Sequence, residues 1–308
     1  MDEKFIKYPS IDYLSDNPEI LDKDVKVYEK LDGANCQFRM LYDGKIQPGS
    51  RSKKIGRQRS KSAFTWKKDF LGWVNEELRT SIYMSISNRG YNDVPVFSSL
   101  LDPKYIFFGE WLSTHTKTYP SKYRDDFYLI DIMDIEDKRF IDYEEAKEIV
   151  DHYGLKINTM NKIYEGILDH EKIDDLMEGS DYGVERKEGI VIKNYEMGKD
   201  FRDQIKNFAK YVDPEFAEMR DKIDYHDSIL IEEIAKEFVK ENYDDVKSFI
   251  EESSQDNSKN MVDSVVEEIS GRGIIEGYFD FKNGDFDLYN KRFIQALKVF
   301  VKEKEQIL

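Results

Sequence analysis

Apolar and polar positions alternate through Val25 and Val27 and again through Phe38 and Met40. The stretch VYEKLDGANCQF, Val27 to Phe38, therefore reads as two half-buried strands with a turn between them at Asp32-Gly33. Asp-Gly is a strong hairpin signal, and a surface hairpin with solvated Lys30 and Asp32 is the ordinary reading. The same patterning predicts strands at Val25–Glu29, Ala34–Leu41, Tyr105–Leu112, Phe127–Ile135 and Gly189–Asn194, each rich in β-branched or aromatic residues. Apolar residues spaced three and four apart predict helices at Asp69–Ser87, Tyr143–Tyr153 and His170–Glu178. Beyond about Pro214 the character changes. SILIEEIAKEFVKENY, SKNMVDSVVEEIS and DLYNKRFIQALKVFVKEKEQ all carry helical spacing, with EESSQDNSKN as their exposed connection. A strand-and-helix domain over residues 1–213 and a smaller all-helical domain over 214–308 follow.

Composition supports a globular protein, with 308 residues, 40% of them hydrophobic and 14% aromatic. The start, MDEKFIKYPS, has no apolar run and nothing later approaches a membrane-spanning length, so a soluble, cytoplasmic protein without a membrane partner is expected. A single cysteine, Cys36, excludes an internal disulfide and a cysteine-based zinc cluster, and reads as a small core residue in a reducing compartment.

A net charge of −16 argues by itself against nucleic-acid binding, because phosphate backbones favour positive surfaces. The charge is unevenly spread, however. Asp213–Leu308 holds 24 acidic and 13 basic residues, whereas RSKKIGRQRSKSAFTWKK, Arg51 to Lys68, holds eight basic residues and no acidic one. The local field decides binding, and this run is a candidate contact for nucleic-acid phosphates.

Candidate chemistry then falls in order on strand ends downstream of Lys30. GSRSKK brings Arg51, FFGEWL brings Glu110, EGIVIK brings Glu188 and Lys193, and QIKNFAKY brings Lys206. Each alone reads as an ordinary solvated charge. Together they meet the needs of phosphoryl transfer through a covalent lysine. An amine attacks phosphorus only when neutral, so neighbouring cations such as Lys193 and Lys206, a bound metal, or desolvation must lower the pKa of Lys30. The same cations would neutralise charge on the phosphates in the transition state. Glu188 suits Mg²⁺ as a hard oxygen ligand, and Glu110 could accept from ribose hydroxyls. His115 has no clear partner, and Trp66, Trp73 and Trp111 read as core residues.

The ordered series KLDGAN, SRS, FGEW, DFYLID, EGIVIK and IKN resembles the covalent nucleotidyltransferase superfamily over about Val25–Tyr211, and within it the RNA ligase 2-like branch of ATP-dependent RNA ligases. That resemblance implies an α+β fold, a ligase adenylation domain of antiparallel sheets with flanking helices. It implies ATP and Mg²⁺ (or Mn²⁺) as cofactors, and RNA with 5′-phosphate and 3′-hydroxyl ends as partner. It further implies that Lys30 forms lysyl-AMP, that Glu29 helps read adenine, and that Asn35 and Arg51 contact the AMP phosphate or the RNA ends. Glu110 would contact ribose, Glu188 the metal, and Lys193 and Lys206 phosphates. Two positions depart from the family pattern. Ile130 stands where an aromatic residue usually stacks on adenine, which implies an aliphatic face for the base and a weaker hold on ATP. Gln204 stands where the last motif usually carries a lysine, with Arg202 as a substitute.

Two other readings stay open. A DNA ligase or capping guanylyltransferase shares the lysine chemistry but normally continues into a β-barrel of short strands, against which the helical tail counts. An inactive nucleic-acid-binding module would keep the fold and the basic run, but Lys30, Glu110, Glu188 and Lys206 together count against it.

Overall fold

Two β-sheets, held face to face by a shared apolar layer, organise the first of two compact units in the computed structural model. The structure describes residues 5–55, 66–82, 101–113, 116–196, 200–217, 225–241 and 286–305. The first unit is drawn from 1–113, 125–178 and 187–212, and the second from 114–124, 179–186 and 213–308. Most of the basic run, His115, the EESSQDNSKN connection and the SKNMVDSVVEEIS helix lie outside the described residues, as do the side chains of Trp66, Lys67 and Lys68.

The strands are β1 (Asp12–Tyr13), β2 (Asp24–Lys30), β3 (Ala34–Met40), β4 (Ile46–Ser50), β5 (Tyr105–Leu112), β6 (Asp126–Asp134), β7 (Arg139–Phe140), β8 (Asn158–Thr159), β9 (Lys162–Ile167), β10 (Gly189–Lys193) and β11 (Phe208–Val212). One sheet runs in the order β1-β11-β10-β2-β9 and the other β4-β3-β5-β6-β7, with β8 beside β6. Pairing is antiparallel apart from β1 with β11 and β8 with β6, and neither sheet closes into a barrel. The fold is α+β with antiparallel sheets and flanking helices, as the family resemblance implies.

The Asp32-Gly33 turn does not close a hairpin. β2 and β3 belong to different sheets, so the chain crosses from one to the other at Leu31–Gly33. Gly33 is required there, because a Cβ would lie 2.6 Å from the Trp111 carbonyl oxygen and 2.9 Å from Glu110 Cγ.

Alternation along the strands separates three apolar layers. Val25, Val27, Ile190, Ile192 and Ala209 bury the outer face of the first sheet with Leu14, Ile20, Ile173 and Met177. Cys36, Phe38, Phe107, Trp111, Phe127 and Ile132 bury the outer face of the second with Phe70 and Trp73. Phe38 and Phe107 stack there with ring centroids 4.9 Å apart, and Cys36 is fully buried, as expected of a core thiol. Ile106, Phe108, Met133, Phe140 and Phe208 form the layer between the sheets together with Tyr8.

Helix α1 (Trp66–Trp73) widens into π-helical turns at Val74–Leu78 and continues helical to position 82. Helix α2 (Tyr143–Tyr153) is capped by the Asp142 carboxylate, which accepts from the Glu144 N–H at 3.1 Å, and stops at Gly154 with φ 62°. Helix α3 (Glu171–Met177) and the short α4 (Phe201–Gln204) complete the described α-helices of this unit. In the second unit, α5 (Tyr225–Glu241) packs on α6 (Phe286–Glu305), with Phe238 edge-on to Phe293 at 6.2 Å. Among the described residues, no helix is long and apolar enough to cross a membrane.

Candidate active site

The strand register sets the site. Lys26, Tyr28 and Lys30 of β2 lie opposite Lys193, Val191 and Gly189 of β10, which lie opposite Phe208, Lys210 and Val212 of β11. Directly opposed residues of an antiparallel pair project to one face, so Tyr28, Lys30, Val191 and Lys210 share the face turned to the second sheet. There Asn35 of β3 lies opposite Glu110 of β5. Between the sheets is a cavity of about 300 Å³ whose lining includes Lys30, Asn35, Arg51, Glu110, Ile130 and Lys210, with Tyr8, Tyr28, Met160 and Val191 supplying much of its apolar surface. That size is at the small-molecule end of ligand sites.

Lys30 ends β2, and Glu188 immediately precedes β10, so the register delivers the carboxylate beside the amine. Lys30 Nζ donates to Glu188 Oε1. The Glu188 side chain is 2% exposed and that of Lys30 27%. Burial pulls the Lys30 pKa down, but the Glu188, Glu110 and Asp32 carboxylates reverse this and hold it above the usual lysine value. Sequence reasoning expects Lys193 and Lys206 to supply a cationic field here. The described groups that act most strongly on Lys30 are instead acidic.

Lys193 borders the cavity with its ammonium already committed. It donates to Asp131 Oδ1 at 2.7 Å and to the Ile130 carbonyl at 3.1 Å, among the rings of Tyr28, Tyr195 and Phe208. Tyr8 donates to the other oxygen, Asp131 Oδ2, at 2.5 Å, and Tyr195 to Oδ1 at 3.1 Å. Burial lowers the Lys193 pKa and Asp131 opposes that shift. This cluster ties β6, β10 and the N-terminal segment together.

Ile130 reaches the cavity because of a β-bulge. Phe108 pairs with Asp131 and Gly109 with Leu129, so Ile130 is the extra residue and is aimed out of the ladder. Gly109 is needed at this point, since a Cβ would fall on the Phe127 ring. Asn35 Oδ1 is buried and has no hydrogen-bond partner among the described residues, which leaves an acceptor at the cavity wall. The Arg51 guanidinium donates to Ser10 Oγ at 2.6 Å. Glu29 is 1% exposed and borders the cavity, although the alternation of β2 turns its side chain to the Val27 face.

The last motif is arranged differently from the sequence expectation. Lys206 is 72% exposed, pairs with Asp203 at 2.8 Å and is not among the cavity-lining residues. Gln204 is 2% exposed and structural. Its Oε1 accepts from the Phe140 N–H at 2.7 Å, and its Nε2 donates to the Phe140 carbonyl at 3.1 Å. Gln204→Ala should therefore destabilise the protein by about 2–4 kcal/mol in urea unfolding, because it orphans a buried donor and a buried acceptor. A change under about 0.5 kcal/mol, the usual size at an uninvolved surface position, would contradict this role.

Lys210, absent from the sequence-based candidates, is the cation of this segment that lines the cavity, with its ammonium 4.2 Å from the Tyr13 ring centroid. Reading FAKYV as a strand would find it, since Phe208 and Lys210 then share a face. Tyr8 escapes sequence reasoning because the N-terminal segment has no periodic signal.

No group of three or more His, Cys, Asp or Glu side chains placed to hold a metal occurs among the described residues. Glu188 still fits Mg²⁺, which is typically held by one or two carboxylates with the remaining positions taken by water and substrate phosphates.

No curated protein matches the chain. Among solved structures, a ligand-free variant of Naegleria gruberi RNA ligase is similar at 17% identity over 72% of this chain and 59% of its own, with a TM-score of 0.49. A variant of the same enzyme with ATP and Mn gives 18%, 72%, 59% and 0.48, and the enzyme with PPi 18%, 72%, 60% and 0.47. This chain thus spans about three fifths of the length of those proteins. The RNA ligase family model matches residues 23–212, more than half of the chain and every described strand except β1. The chain belongs to the RNA ligase family.

Proposed function

We propose that this protein is an ATP-dependent RNA ligase of the RNA ligase 2-like kind, sealing 5′-phosphate to 3′-hydroxyl RNA ends through lysyl-AMP and RNA-adenylate intermediates. Residues 1–213 would be its adenylyltransferase domain and 214–308 its helical domain. The observation that carries this is one cavity edged by Lys30, Glu110, Arg51 and Lys210, with Glu188 in contact with the lysine.

In this reading the Lys30 amine attacks the α-phosphorus of ATP. The N–P bond forms as the bond to the bridging oxygen breaks, pyrophosphate leaves, and the nitrogen loses its proton. Burial favours the neutral amine while the Glu188, Glu110 and Asp32 carboxylates oppose it, so their hold, led by the Glu188 contact, must be offset before attack. Glu188 would hold a divalent ion, whose charge would offset that of the phosphates. Lys210 and Arg51 face the same space and would bind phosphate oxygens. Glu110 would accept from ribose hydroxyls and the free Asn35 Oδ1 from a donor on the substrate. Ile130, Val191 and Met160 give the base an aliphatic bed, and Glu29 backs it from the adjoining strand. Lys193 would act by positioning β6 and β10, and Arg202 and Lys206 are not assigned phosphate contacts.

Ligation of matched nicked-duplex, single-stranded and all-DNA substrates with 5′-phosphate and 3′-hydroxyl ends tests the reading. ATP-dependent sealing of an RNA substrate is expected, and sealing confined to DNA, or none despite intact folding, would overturn it. The phosphate contacts are separable. Lys210→Ala should slow self-adenylylation about tenfold or more, the worth of a charge-assisted hydrogen bond, whereas Lys206→Ala should stay within about twofold because an exposed ion pair contributes little. The reverse ranking in single-turnover assays would return the role to Lys206.

A further inference from the structure

Residues 5–11 form neither helix nor strand, yet with β1 they join both sheets of the first unit. At the start of this segment the Ile6 carbonyl accepts from Gln37 Nε2 of β3 at 3.1 Å, and the Phe5 ring lies against Gly49 of β4, both in the second sheet. At its end β1 pairs in parallel with β11 of the first sheet. Tyr8, Pro9 and Ile11, between these two anchors, line the cavity that Lys30 and Glu110 also line.

Two side chains of this strap hold groups on which nucleotide binding depends. The Tyr8 hydroxyl donates to Asp131 Oδ2 at 2.5 Å, while the Lys193 ammonium donates to Asp131 Oδ1 at 2.7 Å and to the carbonyl of the bulged Ile130 at 3.1 Å. One carboxylate therefore ties together two parts of the cavity lining, the strap and the bulge. Asp131 is 2% exposed, so water does not readily replace a donor taken from it. The Tyr8 ring packs with its centroid 5.0 Å from that of Phe108 and 5.9 Å from that of Phe140. Burial and the Asp131 carboxylate push the Tyr8 hydroxyl well above the usual phenol range, so it remains a donor at neutral pH. Two residues on, Ser10 Oγ accepts from the Arg51 guanidinium at 2.6 Å. A bond at one end of a planar, five-donor fork sets its direction.

We propose that residues 5–13 are a fixed wall of the nucleotide site in which Tyr8 and Ser10 are positioning residues. Tyr8 sets the strap and the Ile130 bulge on the Asp131 carboxylate, and Ser10 turns Arg51 toward the phosphates of ATP. The inference deepens the ligase reading and rests on it for the choice of ATP.

Equilibrium binding of α,β-methylene-ATP to the full chain separates binding from chemistry, because its bridging carbon is not a leaving group. Tyr8→Phe keeps the ring and removes only the donor. It should weaken binding of this analogue about tenfold, the worth of one charge-assisted hydrogen bond, and raise the ATP concentration for half-maximal self-adenylylation by a similar factor. The maximal rate should stay within about threefold of wild type, since the reacting groups are untouched. Ser10→Ala should weaken analogue binding about threefold, and Ser10→Thr, which keeps the hydroxyl, should restore it. Adenosine, which has no phosphate, should respond to Tyr8→Phe and not to Ser10→Ala. A strap that merely braces the fold would lower the melting temperature of Tyr8→Phe and leave analogue binding within about twofold of wild type, and that result would overturn the proposal. A fallen maximal rate with unchanged binding would overturn it equally. Where Tyr8→Phe does not fold, the Ser10 variants decide, and equal binding by Ser10→Ala and wild type overturns the wall. Wild type that binds the analogue but does not adenylylate with ATP would instead strike the ligase reading, so the two failures are told apart.

Discussion

Lys30→Ala is expected to abolish covalent labelling of the protein by ATP carrying a radioactive α-phosphate, with no residual band above background. Lys30 is the lysine at the meeting point of the two sheets, its amine held between the cavity and the Glu188 carboxylate. Removing it removes the atom that would form the phosphoramide bond, so the loss should be complete rather than graded. Lys30→Arg separates chemistry from folding. A guanidinium keeps a cation beside Glu188, whose side chain is 2% exposed, but it is not a nucleophile at neutral pH. The arginine variant should therefore melt close to wild type and still fail to label. Acid-labile, base-stable label in the wild type alone would support the assignment. Label retained at wild-type level in either variant would place the nucleophile elsewhere.

The contrast between Lys30 and Lys206 shows what can be read without coordinates. Strong alternation in β2, β3, β5, β6 and β10 makes those strands visible, and their order on strand ends makes Lys30, Glu110 and Glu188 visible with them. Pairing is not visible, because local sequence does not say which strand a neighbour joins. Asp32-Gly33 has the sequence of a hairpin and is a crossover between sheets, and the Lys30 to Glu188 contact spans 158 positions. β9 is hidden because its residues are only part-buried or exposed, and β11 because it is short and partly polar, which conceals Lys210. The bulge that aims Ile130 into the cavity leaves no mark in DFYLIDIMD, since it arises from the register with β5. Gln204 reads as a lost phosphate ligand because its partner, the Phe140 backbone, is 64 positions away.

Glu188→Gln should lower the rate of self-adenylylation by about a hundredfold or more while leaving the protein folded. The substitution keeps the volume and a hydrogen-bonding oxygen near Lys30 but removes the negative charge. In a site that excludes water, a fixed charge lost from the transition state costs roughly 3–4 kcal/mol. Two roles for the carboxylate predict different secondary effects. If it only braces Lys30, the rate should recover where the ion pair is dispensable, and the dependence on divalent ion should stay as in wild type. If it holds the ion, Glu188→Asp, a shorter carboxylate, should need a higher concentration of Mg²⁺ or Mn²⁺ for half-maximal rate, and Glu188→Gln should not saturate. The position favours the second outcome. Glu188 sits at the mouth of β10, one residue from the point opposite Lys30, beside the cavity that Lys30, Arg51 and Lys210 line. Circular dichroism and thermal melting of the glutamine variant complete the test. A native spectrum with lost adenylylation supports the metal role, whereas parallel loss of fold and label, or a wild-type rate with unchanged metal dependence, would reduce Glu188 to a structural partner of the lysine.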